Sequence, residues 1–178
     1  NGEPENPAQA MYDAFLEAGG NFIDTANVYT GGTSERLVGE FIASERQRIV
    51  LATKYTLSMD PTDPNACGNH RKNMVQAVEA SLERLGTGYI DLLWVHAPDG
   101  MTPIAEIMRG LDDLVRAGKV FYVGISDAPA WWVARANTLA ELRGWTPFTG
   151  LQIKYSLIER TPERELLPMA RALDLAVT

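Results

Sequence analysis

Two periodicities alternate along this chain, about six times over, and that alternation limits its folds more than any other feature. Short, nearly continuous apolar runs begin at Asn21 (NFIDTA), Arg48 (RIVLATK), Tyr89 (YIDLLWVH), Val120 (VFYVGIS), Gly150 (GLQIKYS) and Leu175 (LAVT). Runs of this kind suit parallel strands covered on both faces. Between them apolar residues recur at i, i+3 and i+4, the spacing of helices with one face on a core. Met11, Phe15, Leu16 and Ala18 form the first such stripe, and Leu37, Val38, Phe41 and Ile42 the second. Further stripes start at Met74, Ile104, Trp132 and Leu166.

The punctuation agrees with this reading. Thr102-Pro103 and Thr161-Pro162 read as an N-cap followed by proline at the first helical position. Gly86, Gly118 and Gly144 stand where helices should end. Strand–helix alternation predicts a parallel sheet with right-handed crossovers. The predicted class is α/β, within a single domain spanning residues 1–178.

A doubly wound open sheet and a (β/α)8 barrel both satisfy that pattern. No glycine fingerprint follows the first strand, where Gly31-Gly32 reads as a plain turn, so a Rossmann dinucleotide site is not indicated. Polar residues collect instead at the C-terminal ends of the strands: Asp24, Lys54, His96, Ser126 and Gln152. A barrel gathers its chemistry on that face. The expected architecture is therefore a TIM-type parallel (β/α) barrel.

Composition narrows the function. A net charge of -7 argues against a general nucleic-acid or anionic-membrane binder. No apolar run approaches the roughly 20 residues of a membrane span, and the polar opening NGEPENPAQ does not read as a secretory signal. The lone cysteine, Cys67, permits no intramolecular disulfide and suits a cytoplasmic setting; it reads as an incidental thiol. No ligand spacing such as HxxxH or CxxC suggests a metal, and no GxSxG elbow suggests a serine nucleophile.

Asp24, Tyr29, Lys54 and His96 form the constellation of interest. Taken singly, each has an ordinary structural reading. Asp24 can cap a turn, Tyr29 can be a loop aromatic with a wet hydroxyl, Lys54 can extend to solvent, and His96 can be a hydrogen-bonded strand-end histidine. Together, on or just after successive strand ends, they favour chemistry. Reducing a carbonyl requires a hydride on carbon and a proton on oxygen. A free phenol, with a pKa of about 10, gives up its proton reluctantly near neutrality. A neighbouring ammonium favours the phenolate. In this reading Tyr29 is the general acid, Lys54 assists it, Asp24 holds the lysine, and His96 donates a hydrogen bond to the substrate oxygen.

The segments GGNFIDTANVYTGGTSERLVGEFI, IVLATKY, YIDLLWVHAPD, GKVFYVGISD and LQIKYSLIER resemble, in order, the signatures of the aldo-keto reductases. The resemblance runs from about Met11 to the end of the sequence. It implies a (β/α)8 barrel, reduction of small-molecule aldehydes or ketones, and NADPH as cofactor, with NADH the alternative. It implies Asp24, Tyr29, Lys54 and His96 as the catalytic tetrad. It places Ser126, Asp127 and Gln152 at the nicotinamide carboxamide. Asp127 departs from the family's asparagine, and two roles stay open for it: cofactor contact, or N-cap of the helix holding Trp131 and Trp132. Lys154 stands where an acidic residue is common. Tyr55 and Trp131 are candidates for the substrate mouth or for packing, and His70 reads as a solvated residue in a helix's first turn.

Against the family's eight strands, six are legible. The expectation is an incomplete barrel, truncated at both ends, with open edges that favour homo-oligomers. An alternative to the reductase follows from that: a catalytically weak or inactive module acting through self-association or partner binding. A regulatory subunit resembling channel β-subunits is a related reading, although no feature of the sequence favours a membrane partner.

Overall fold

The computed structural model describes residues 7–178; the polar NGEPEN that opens the sequence lies outside them. Among the described residues six helices alternate with six strands. The helices are α1 (Pro7–Glu17), α2 (Thr33–Ile42), α3 (Arg71–Leu85), α4 (Ile104–Arg116), α5 (Ala130–Arg143) and α6 (Leu166–Ala172). The strands are β1 (Phe22–Asp24), β2 (Val50–Tyr55), β3 (Ile90–Val95), β4 (Val120–Ser126), β5 (Phe148–Gln152) and β6 (Ala176–Val177). The strands form one sheet in sequence order, every neighbouring pair parallel. Sequential order without a reversal distinguishes a barrel wall from a doubly wound sheet. The molecule is thus a curled part of a TIM-type barrel, as the strand-end polar residues predicted.

Pleating sends alternate side chains to opposite faces. Leu51, Leu93, Val95, Val123, Ile125 and Leu151 point outward and bury against Met74, Val78, Ile107, Met108, Leu111, Val133 and Ala136 of the helices. The concave face carries the other parity. Lower down it, Phe22 and Tyr122 stay largely exposed. Helices α2 and α3 approach closely at Gly39, where a Cβ would lie 2.6 Å from the Leu85 carbonyl oxygen. Asp99 and Asn69 clamp the loops after β2 and β3 together. Asn69 N donates to Asp99 Oδ2 and Asp99 N to Asn69 Oδ1, each at 2.7 Å.

Some local expectations fail. Helix α1 buries none of its residues, and Met11 is 74% exposed. Its packed side chains are Tyr12, tilted against Phe41 with centroids 5.4 Å apart, and Leu16, the member of the expected stripe that does reach the core. Leu142, at the far end of the apolar stripe that starts at Trp132, is exposed. Proline itself is the N-cap of α4, because the Thr102 hydroxyl donates to Asp99 and is not available to the helix. Thr161-Pro162 opens a short 3-10 turn, and α6 starts later, at Leu166. Gly86 and Gly144 do cap α3 and α5 in the left-handed conformation.

Among the described residues, no helix is long and apolar enough to cross a membrane. None of their His, Cys, Asp and Glu side chains form a group that could hold a metal ion.

Candidate active site

Register sets the site. Asp24 pairs with Ala52, Lys54 with Trp94, Trp94 with Gly124, and Ser126 with Gln152. Because side chains alternate with a period of two, Asp24, Lys54, His96, Ser126 and Gln152 all face the concave side near its C-terminal rim. His96 lies one residue beyond β3, but its N–H still donates to the Tyr55 carbonyl, so it keeps the strand's parity.

Lys54 is 1% exposed, which overturns its reading as a solvent-reaching lysine. A buried, unpaired ammonium would cost several kcal/mol. Here Nζ donates to Asp24 Oδ2, and to the Thr25 carbonyl at 3.0 Å. Asp24 remains partly open to solvent. The carboxylate therefore neutralises the lysine on one side and leaves its other side for the aromatic beyond.

That aromatic is Tyr29. It begins a 3-10 turn that ends at Gly32, with Thr30 at φ 47 and Gly32 at φ 87. Gly31-Gly32 is more than a plain turn. Gly32 is buried against Arg84 and serves as the N-cap of α2, and a Cβ there would lie 2.8 Å from the arginine Cδ. Helix α2 is in turn fixed from both sides. The Thr25 and Ser34 hydroxyls share a 2.7 Å hydrogen bond. Fully buried Glu35 accepts from Thr53 Oγ1 and from Arg84 Nε, both at 2.6 Å. The turn therefore projects Tyr29 over the lysine: Lys54 Nζ sits 5.1 Å from the ring centroid. The Tyr29 and His96 rings meet edge to face, centroids 6.1 Å apart at 82°. Tyr29 is 42% exposed, open to whatever occupies the mouth.

Burial disfavours the charged form of the His96 ring and, with the Lys54 ammonium beside it, holds its pKa below the ordinary histidine value; Asp127 and Asp24 oppose this weakly. Its Nδ1 is buried without a hydrogen-bond partner among the described residues. All four sequence candidates thus come together at one opening.

On the other side of the rim, Gln152 Nε2 donates to Asp24 Oδ2 at 3.3 Å and to Thr178 Oγ1 at 3.4 Å. Ser126 is buried beside it in register. Asp127 is exposed and left-handed, at φ 49, and the N-cap of α5 is Pro129; the capping role considered for Asp127 is therefore excluded. Tyr55 is no mouth residue, because its outward parity buries it fully and pushes its phenol far above the usual range. Trp131 is exposed near the rim. His70 is half-buried and caps α3, its Nδ1 accepting from Asn73 N at 3.2 Å, so it is not a free surface histidine. Cys67 is half-buried, its Sγ 3.6 Å from the Pro64 carbonyl. Sequence reading passed over Glu35, whose charge on an otherwise amphipathic stripe was the available signal, and Trp94, which looked like one more apolar strand residue.

Known proteins resemble this chain over most of its length. The norsolorinic acid reductase of Emericella nidulans is 50% identical over 177 residues, which is 96% of this chain and 46% of that protein. The norsolorinic acid reductase of Aspergillus flavus is 48% identical over 169 residues, 91% of this chain and 44% of that protein. An aryl-alcohol dehydrogenase of Pestalotiopsis microspora is 44% identical over 173 residues, 94% of this chain and 45% of that protein. The chain spans about half the length of these curated relatives. The model of the aldo/keto reductase family matches residues 2–178, and a match of that extent makes this chain a member of the aldo/keto reductase family.

Proposed function

We propose that this chain carries the proton-transfer half of a nicotinamide-dependent carbonyl reductase, with Tyr29 as general acid and Lys54, Asp24 and His96 as its partners. One observation carries the reading: a fully buried lysine, tied to Asp24, lies beneath the ring of a half-exposed tyrosine that also meets His96. When bound, a reduced nicotinamide supplies the hydride to the carbonyl carbon. Tyr29 gives its proton to the carbonyl oxygen, and the Lys54 ammonium stabilises the phenolate left behind. Asp24 fixes the lysine in place. The neutral His96 ring donates a hydrogen bond to the same oxygen and orients it.

The donor set at the rim fits a nicotinamide carboxamide. Ser126 offers a hydroxyl, Asp127 an exposed carboxylate acceptor and Gln152 both a donor and an acceptor. The two hydrogen bonds that Gln152 makes are long, so its amide can be taken up by a ligand. NADPH is the proposed cofactor, with NADH the alternative. The name of the aryl-alcohol dehydrogenase relative supports an aryl aldehyde or ketone as substrate.

The test is NADPH consumption with an aromatic aldehyde such as a nitrobenzaldehyde. Turnover that falls sharply in a folded Tyr29→Phe variant supports the assignment. Equal rates in that variant would remove it.

A further inference from the structure

Beneath the rim lies a row of the concave face of which the chemistry above uses only Lys54. Lys54, Trp94, Gly124 and Gly150 stand in register across β2, β3, β4 and β5. Two residues further along, on the same parity, His96, Ser126 and Gln152 make the next row, directly over it. In the lower row two adjacent strands bring no side chain, and the indole of Trp94 fills the space. A Cβ at Gly124 would lie 2.4 Å from Trp94 Cε3 and Cζ3, and one at Gly150 2.9 Å from Cη2. The indole is wholly buried. Its Nε1 is also buried and has no hydrogen-bond partner among the described residues. A phenylalanine would cover much of the same area without burying an unpaired donor, so simple space-filling does not account for the residue.

We propose that Trp94 is the floor of this site and a positioning residue for it. Its rigid ring, seated on Gly124 and Gly150, sets the depth at which a carboxamide held by Ser126 and Gln152 rests, and so the height of the reacting carbon beneath Tyr29. From the neighbouring strand it also helps to cover the Lys54 side chain. A shorter side chain lets the ligand sink and water enter. A Cβ at Gly124 lifts the ring into the ligand's place. Either change misplaces the bound groups while the tetrad side chains stay intact.

This inference rests on the reductase reading, and the experiment separates the two. NADPH affinity is measured in the intact protein from the nucleotide's own fluorescence, alongside kcat and KM for an aromatic aldehyde. Trp94→Leu and Gly124→Ala are each expected to weaken NADPH binding and raise the aldehyde KM by about tenfold, with a smaller change in kcat. Trp94→Phe, whose shorter ring does not reach the place of Cη2 over Gly150, is expected to restore only part of the affinity. In the double variant Trp94→Leu/Gly124→Ala the losses should not add, since both act through the same ring. Folded Trp94→Leu protein with wild-type affinity and KM, or additive losses in the double variant, would overturn the floor. Wild-type protein that neither binds NADPH nor turns over would take down the reductase reading first, and the floor with it.

Discussion

The side-chain amide of Gln152, on β5, reaches Asp24, on β1, at 3.3 Å, although 128 residues and three intervening strands separate them. The contact is a consequence of curvature. Parallel strands twist relative to one another, and the accumulated twist bends the sheet until the rims of its first and fifth strands face each other. The proposed proton-transfer side and the proposed cofactor side therefore share one carboxylate, which also holds Lys54.

Tyr29→Phe removes the proposed proton donor and little else. Among the described residues nothing hydrogen-bonds the Tyr29 hydroxyl, and the ring is half-exposed. The carbonyl-reduction rate should fall by about 10²–10⁴. Stability, followed by thermal unfolding, should change by no more than about 0.5 kcal/mol. A rate within twofold of wild type would remove Tyr29 from the mechanism.

Lys54→Met leaves Asp24, which is partly open to solvent, without its ion pair and should cost about 1–2 kcal/mol in urea unfolding. In the double variant Lys54→Met/Asp24→Asn the unpaired charge is gone, and part of that loss should return. Strictly additive losses would mean that the pair contributes nothing as a pair.

His96 gives the pH dependence a definite sign. Burial, with Lys54, holds its pKa below the ordinary 6.5, so the ring stays neutral further into acid than a free histidine. The acid limb of kcat/KM should therefore lie below that value, and His96→Gln should flatten it while lowering the plateau. The same depressed pKa adds stability that is present above 6.5 and lost as pH falls through the folded value. An NMR titration of the ring checks both statements. A midpoint above 6.5 contradicts them.

Asp99 predicts an acid-sensitive clamp away from the tetrad. Burial alone would raise its pKa. The hydrogen bonds from Asn69 N, the Thr102 hydroxyl, Thr102 N and Met101 N outweigh that and bring it down from 3.8 to about 2. A carboxylate with a depressed folded pKa stabilises above its unfolded value, and that stability disappears as pH falls. Between about pH 4 and pH 2 the wild type should lose on the order of 1–2 kcal/mol that Asp99→Asn never had. Melting temperature against pH for the two proteins makes the comparison. Parallel curves would show that the clamp is not titrating.

The architecture was written in local periodicity. Backbone geometry alone makes a helix repeat at 3.6 residues and a strand at 2. Runs such as VFYVGIS, observed as Val120–Ser126, could therefore be placed without knowing their neighbours. The strand-end polar residues were equally legible, because a chain that puts Asp24, Lys54, His96, Ser126 and Gln152 at the same end of successive strands has few folds that use them. What neighbours decide was not legible. Whether α1 packs Met11 or Tyr12 against its neighbours depends on Phe41, far along the chain, and Thr102 fails to cap α4 because Asp99 takes its hydroxyl. Lys54 is buried and Tyr55 lies in the outer core because the register of β2 against β1 and β3 fixes which parity faces in. Trp94 covers two glycines on other strands, and Gln152 meets Asp24, only because the sheet is bent. Contacts of that kind arise from curvature and from competition for space, and no window of sequence contains either.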